Sequence, residues 1–80
     1  MFTQEDIKRF KEELPAIGIR LIKERTGISR PTIYKFIDGK EIRLPIAEKI
    51  WLEGWIIIKE MKEKRAELKR HAEDVLNKEY

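Results

Sequence analysis

Arg30, Pro31, Tyr34 and Lys35 alternate with Ile28, Ile33 and Phe36 in the stretch Gly27-Ile28-Ser29-Arg30-Pro31-Thr32-Ile33-Tyr34-Lys35-Phe36. A guanidinium presents a planar fork of donors, an ammonium a point charge, and a phenol a donor, an acceptor and a π face. Carried on one side of a short helix, such groups bind rather than catalyse. Elsewhere no nucleophile pairs with a base, and no glycine-rich loop could cradle a phosphate. Carboxylate neighbours such as Glu12–Glu13 and Glu73–Asp74 point apart on a helix. His71 is the single histidine and cysteine is absent, so nothing beyond Glu67, one turn away, could share a metal with it. The chain reads as a non-enzyme with no cofactor and no metal.

The bulk properties agree with a surface function. Eighty residues make one domain, or one domain with an appendage. A chain this short buries only about 60% of the surface its unfolded form exposes, which leaves little room for a deep catalytic cavity. Without disulfides, a protein of this size relies on packed helices or on oligomerisation. The longest apolar run, Trp55-Ile56-Ile57-Ile58, is far short of a membrane span, and Met-Phe-Thr-Gln-Glu-Asp lacks the basic start and apolar core of a signal peptide. The expected location is the cytoplasm. The net charge of +3 is modest, but residues 18–43 hold seven bases against three acids, a local excess of +4. That clustering suits a partner bearing phosphates.

The elements that must carry these groups are helices. Thr3 caps a first helix, with Asp6 three residues on. Ile7, Phe10 and Leu14 line one face, Glu5 and Arg9 pair on the other, and Pro15 stops the helix near Glu13 or Leu14. A second helix spans 19–26, with Ile19 and Ile22 inward and Arg20, Lys23 and Glu24 outward. Gly27 ends it in a left-handed conformation. Ser29 caps a third helix, Pro31 occupies its first turn, Ile33, Phe36 and Ile37 form its buried stripe, and Gly39 closes it. Residues 40–43 form a loop, and Pro45 opens a fourth helix that runs toward Lys78. Gly54 is its single glycine, and sequence leaves open whether the helix passes through it. Glu60–Lys64 and Asp74–Lys78 are favourably oriented pairs on this helix. No strand is expected, so the fold class is all-α: a small helix-turn-helix bundle of about four helices with a long C-terminal helix.

Two short helices joined by a glycine turn make a helix-turn-helix, here at residues 19–38. Its core is Ile22, Gly27, Ile28, Ile33 and Phe36. Gly27-Ile28-Ser29, Thr32-Ile33, Phe36 and Asp38-Gly39-Lys40 resemble the motif of the Cro/repressor-like and LacI-like regulators, a lambda-repressor-like fold. The resemblance is close over about 20 residues and looser over about 45. It implies that the second helix of the motif enters the DNA major groove. Arg30 is then the candidate for guanine O6 and N7, with Pro31, Tyr34 and Lys35 as the other base contacts. Arg20, Ser29, Thr32, Lys40 and Arg43 become candidates for phosphate contacts. The family has alanine where this chain has Lys23. Either the Lys23 stem lies along the helix contact with its ammonium in water, or the two helices pack wider.

A single motif covers few base pairs, and proteins of this kind pair. Trp51, Trp55, Ile58, Met61 and Leu68 are the candidate homodimer interface. The expected organisation is a DNA-binding domain over 1–60 and a helical extension over 61–80. In the extension Met61, Leu68 and Val75 repeat every seven residues. Their companions, either Lys64, His71 and Lys78 or Arg65 and Ala72, are poor for a long coiled coil. A partner helix across the dimer, or on another protein, fits better. The functional expectation is a transcription regulator, a repressor that occupies an inverted-repeat operator in double-stranded DNA. Two alternatives stand beside it: an antitoxin-type autoregulator that clasps a partner protein through residues 61–80, and a protein-interaction module without DNA binding. RNA binding is disfavoured by the few exposed aromatics available to stack on bases.

Overall fold

A computed structural model describes residues 2–79, with side chains through Leu76. Among the described residues there are four α-helices and no strand: α1 (Gln4–Glu13), α2 (Gly18–Thr26), α3 (Arg30–Ile37) and α4 (Leu44–Glu79). The 55 Å long axis of the molecule matches the ~54 Å expected of a 36-residue helix, so α4 sets its length.

Local chemistry places the breaks. The Thr3 hydroxyl accepts from the Asp6 N–H, and the Asp6 carboxylate accepts from the Thr3 N–H, both at 3.1 Å, a complete capping box. Pro15 follows the C-cap Leu14, whose N–H returns to the Phe10 carbonyl at 2.9 Å. The second helix starts at Gly18, one residue earlier than the apolar pattern indicates. The third ends in a Schellman arrangement: Lys40 N–H donates to the Lys35 carbonyl at 2.9 Å and Gly39 N–H to the Phe36 carbonyl at 3.1 Å.

The core is formed by one face of α4 and the inner faces of the other three helices. Phe10, Ile22, Ile33, Ile50 and Ile57 are fully enclosed, and no polar side chain among the described residues is buried. Phe10 is the hub of an aromatic cluster. Its ring stacks on Trp51 at 5.5 Å and meets Phe36 and Trp55 edge-on at 5.6 and 6.0 Å. Phe2 joins from the N-terminus at 4.9 Å from Trp51. Helix α4 runs unbroken through Gly54, which answers the question sequence left open. Gly54 is buried there because the Phe10 ring lies against its backbone.

Two expected intrahelical pairs are replaced by partners that sequence spacing does not reveal. Arg9 turns from Glu5 to Glu13 (3.7 Å) and lies 5.8 Å from the centre of the Trp55 ring. Glu60 is drawn to Arg25 on α2 at 2.9 Å rather than to Lys64, and Glu53 approaches the same guanidinium at 3.9 Å. Lys62 on α4 pairs with Glu13 on α1 at 2.9 Å. The expected Asp74–Lys78 pair lies outside the described residues. Ile58, expected at a dimer seam, is 2% exposed and belongs to the chain's own core. Trp51 and Trp55 are half-buried in the aromatic cluster, and Met61 packs on its edge. Beyond Met61 every described side chain of α4 is exposed.

Candidate nucleic-acid interface

The turn between α2 and α3 is three residues long, and its geometry follows from its sequence. Gly27 has φ +75°, a conformation that an L side chain resists, and its N–H closes on the Lys23 carbonyl at 2.8 Å. Thr26 reinforces the bend. Its hydroxyl donates to the Ile22 carbonyl at 2.6 Å and accepts from the Ile28 N–H at 3.2 Å. Sequence reasoning gave Thr26 no role. The available signal was a hydroxyl directly before the turn glycine, able to bond one turn back along the helix.

Helix α3 is divided cleanly. Ile33, Phe36 and Ile37 are buried, whereas Arg30, Pro31, Tyr34 and Lys35 are exposed, Tyr34 at 51%. Asp38, also exposed, extends this surface at the C-cap and was missed as a candidate. Ile22 and Ile28 hold the helices from within, fully and half-buried respectively. Lys23 is exposed.

The candidate phosphate-binding residues differ in their readiness. Lys40 and Arg43 are exposed on the loop, and the Schellman bond fixes the Lys40 backbone to the end of α3. Arg20 is exposed but donates to Glu24 at 3.1 Å, an open surface pair that competes only weakly with another anion. Ser29 occupies the N-cap position of α3 with extended backbone, but its side chain makes no capping bond. Its hydroxyl instead shares a hydrogen bond with the Thr32 hydroxyl at 3.0 Å. The cap is thus a correction to the expectation: a second hydroxyl at the third helical position meets Ser29 before a backbone N–H does. Among the described residues, no acid pairs with Arg30, Lys35, Lys40 or Arg43. Arg25, in contrast, is bound between Glu53 and Glu60, and hydrogen bonding to Glu60 raises its already high pKa. The excess charge of residues 18–43 is therefore sorted: Arg25 braces α2 on α4, Arg20 pairs with Glu24, and Lys23, Arg30, Lys35, Lys40 and Arg43 have no acid partner among the described residues.

Among the described residues no cluster of ligands could hold a metal ion, and no helix is long and apolar enough to cross a membrane. Comparison of the chain with known protein families, curated proteins and solved structures gives no match.

Proposed function

We propose that this protein is a sequence-specific regulator of transcription that binds double-stranded DNA through α3 and acts as a homodimer on an inverted repeat. The observation that carries the reading is the division of α3. One face is locked into the core behind a rigid glycine turn, and the other presents Arg30, Pro31, Tyr34 and Lys35, with no acid on either cation. Such a helix is pre-organised for the major groove. Arg30 forks onto guanine O6 and N7, and Pro31 lies against a thymine methyl. Tyr34 and Lys35, further along the helix, reach bases or phosphates. Ser29, Thr32, Lys40, Arg43 and Arg20 set the register on the backbone and carry no sequence information themselves. Occupancy of an operator would exclude polymerase, which makes the protein a repressor rather than an enzyme.

The deciding experiment is selection of binding sites by the purified protein from a random duplex pool at near-physiological salt. Enrichment of a short inverted repeat, with half-sites one helical turn (~34 Å) or a multiple apart, supports both parts of the proposal. Enrichment of single half-sites retains the DNA reading and removes the dimer. No enrichment, together with no binding at low salt, overturns it. Within a selected site, Arg30→Ala should weaken binding by about 1–3 kcal/mol and relax one base position. Lys35→Ala, if the ammonium meets a phosphate, should instead lower the salt slope by about one.

A further inference from the structure

The inner face of α4 does not end with the domain it serves. Ala47, Ile50, Gly54, Ile57 and Met61 follow one another at spacings of three and four and face α1–α3. The same spacing continues through Leu68, Ala72 and Val75 with Leu76, interrupted only by Arg65. Leu68 is 61% exposed, Val75 44% and Leu76 56%. From Met61 to Leu76 the helix thus carries the stripe of a core wall with no core against it among the described residues.

We infer that this stripe is covered by the same stripe of a second copy of the chain, with the two α4 helices antiparallel. Two independent arguments select this occupant. The first is steric. Below Met61 the stripe is already occupied by the chain's own domain, held by Lys62–Glu13 and Arg25–Glu60. In a parallel pair both domains would need the space between the helices. In an antiparallel pair the two domains lie at opposite ends, and the helices overlap only beyond Met61. Leu68 of one copy then sits opposite Ala72 of the other, large against small.

The second argument is charge. At 3.6 residues per turn, Lys69 and Glu73 border the stripe on one side and Lys64 on the other. In the antiparallel register, like flanks meet, and Lys69 comes within about two residues of Glu73 of the second copy. In a parallel pair, Lys64 would face Lys69 of the second copy, cation against cation. The pairing rests on α4 alone and stands whether or not α3 enters DNA.

The test is the mass of the full chain in solution, without DNA, by light scattering across a concentration series. The wild-type protein should be a dimer that dissociates on dilution. Leu68→Lys changes a side chain exposed in the single chain, so it should fold as wild type, by its helical circular dichroism, yet be monomeric. Lys69→Glu and Glu73→Lys each replace attractive cross-pairs by repulsive ones and should weaken the dimer roughly ten- to thirtyfold. Mixing these two single variants should restore association to near the wild-type level, because each then meets its complement. Repulsion within one helix persists in the mixture, so an effect confined to single chains would not be rescued. A wild-type monomer, including one that associates only with a different protein, overturns the inference. So does a dimer indifferent to both charge reversals, or one not rescued by mixing. A monomer that still selects duplex sites removes this inference alone, whereas a dimer that selects none removes the DNA reading alone.

Discussion

Replacing Gly54 by alanine sets two effects of opposite sign against each other. In an ordinary helix interior the change is favourable by about 1 kcal/mol, because alanine loses less backbone freedom on folding. At this position the new Cβ would lie closer than 3.0 Å to both Cζ and Cε2 of Phe10, a separation that real Cβ atoms do not tolerate. The ring has nowhere to withdraw. Phe10 is fully buried, with Trp51, Phe36 and Trp55 around it at 5.5–6.0 Å. Overpacking of this kind costs about 1–3 kcal/mol, and overlap with two ring atoms points to the upper part of that range. The net expectation is a loss of about 1–2 kcal/mol, or very roughly 5–15 °C in melting temperature for a domain this small. Urea unfolding followed by tryptophan fluorescence reports directly on the affected cluster, and the midpoint should fall with little change in m-value. In a Phe10→Leu background the same glycine substitution should become neutral or stabilising, giving a clear coupling in a double-mutant cycle. A Gly54→Ala protein at least as stable as wild type would refute the reasoning, since propensity alone would then govern the site.

Gly27→Ala meets no atom within 4 Å but must hold φ +75°, so thermal melts should show a loss of about 1–2 kcal/mol, and Gly27→Asn a smaller one. The hydrogen bond from Lys62 holds the Glu13 carboxyl below the usual carboxylate range. The pair's contribution is therefore complete above the unfolded carboxylate pKa and lost as pH falls through the lowered folded value; Glu13→Gln should remove that acid-side slope from a stability–pH profile. Arg25→Met breaks the α2–α4 brace, but the pair is open to solvent, so denaturant titration should register only a small loss of stability, shrinking as salt is raised.

Most of the fold was legible because the chain is strongly punctuated. Thr3 with Asp6, Pro15, Gly27, Pro31 and Gly39 each mark a helix end by a local steric or hydrogen-bonding requirement, and local requirements are visible in sequence. The missed features depend on residues far apart in the chain. Glu60 could be read only against Lys64, its neighbour on the same helix, whereas its partner Arg25 lies 35 positions away. Continuity of α4 through Gly54 turned on the position of the Phe10 ring, and no spacing rule reports that. Phe2 escaped notice as core, although it precedes the Thr3 cap with Ile7 at the fourth helical position, the two places of a hydrophobic staple. At the candidate site, the partition of α3 into Ile33, Phe36 and Ile37 against Arg30, Pro31, Tyr34 and Lys35 followed directly from helical period. The Ser29–Thr32 hydroxyl bond did not, because the same serine could equally have capped the backbone.

The error over Ile58 has the same origin and leads further. An apolar stripe states that a face is to be covered, but not by what. From Ala47 to Met61 the chain's own helices cover it, and Ile58 is enclosed with the rest. From Leu68 to Leu76 no described residue of the chain does. The two halves are nonetheless one helix, and this bears on how the exposed half can act. An isolated segment of 15–20 residues pays a heavy nucleation penalty and is marginal as a helix in water. Here the first turns of α4 are fixed by the core, so the distal half only propagates a helix already begun. Its stripe is then presented in register before any partner arrives. Association need order little further chain, and the entropy that usually weakens the binding of a tail is reduced at the outset.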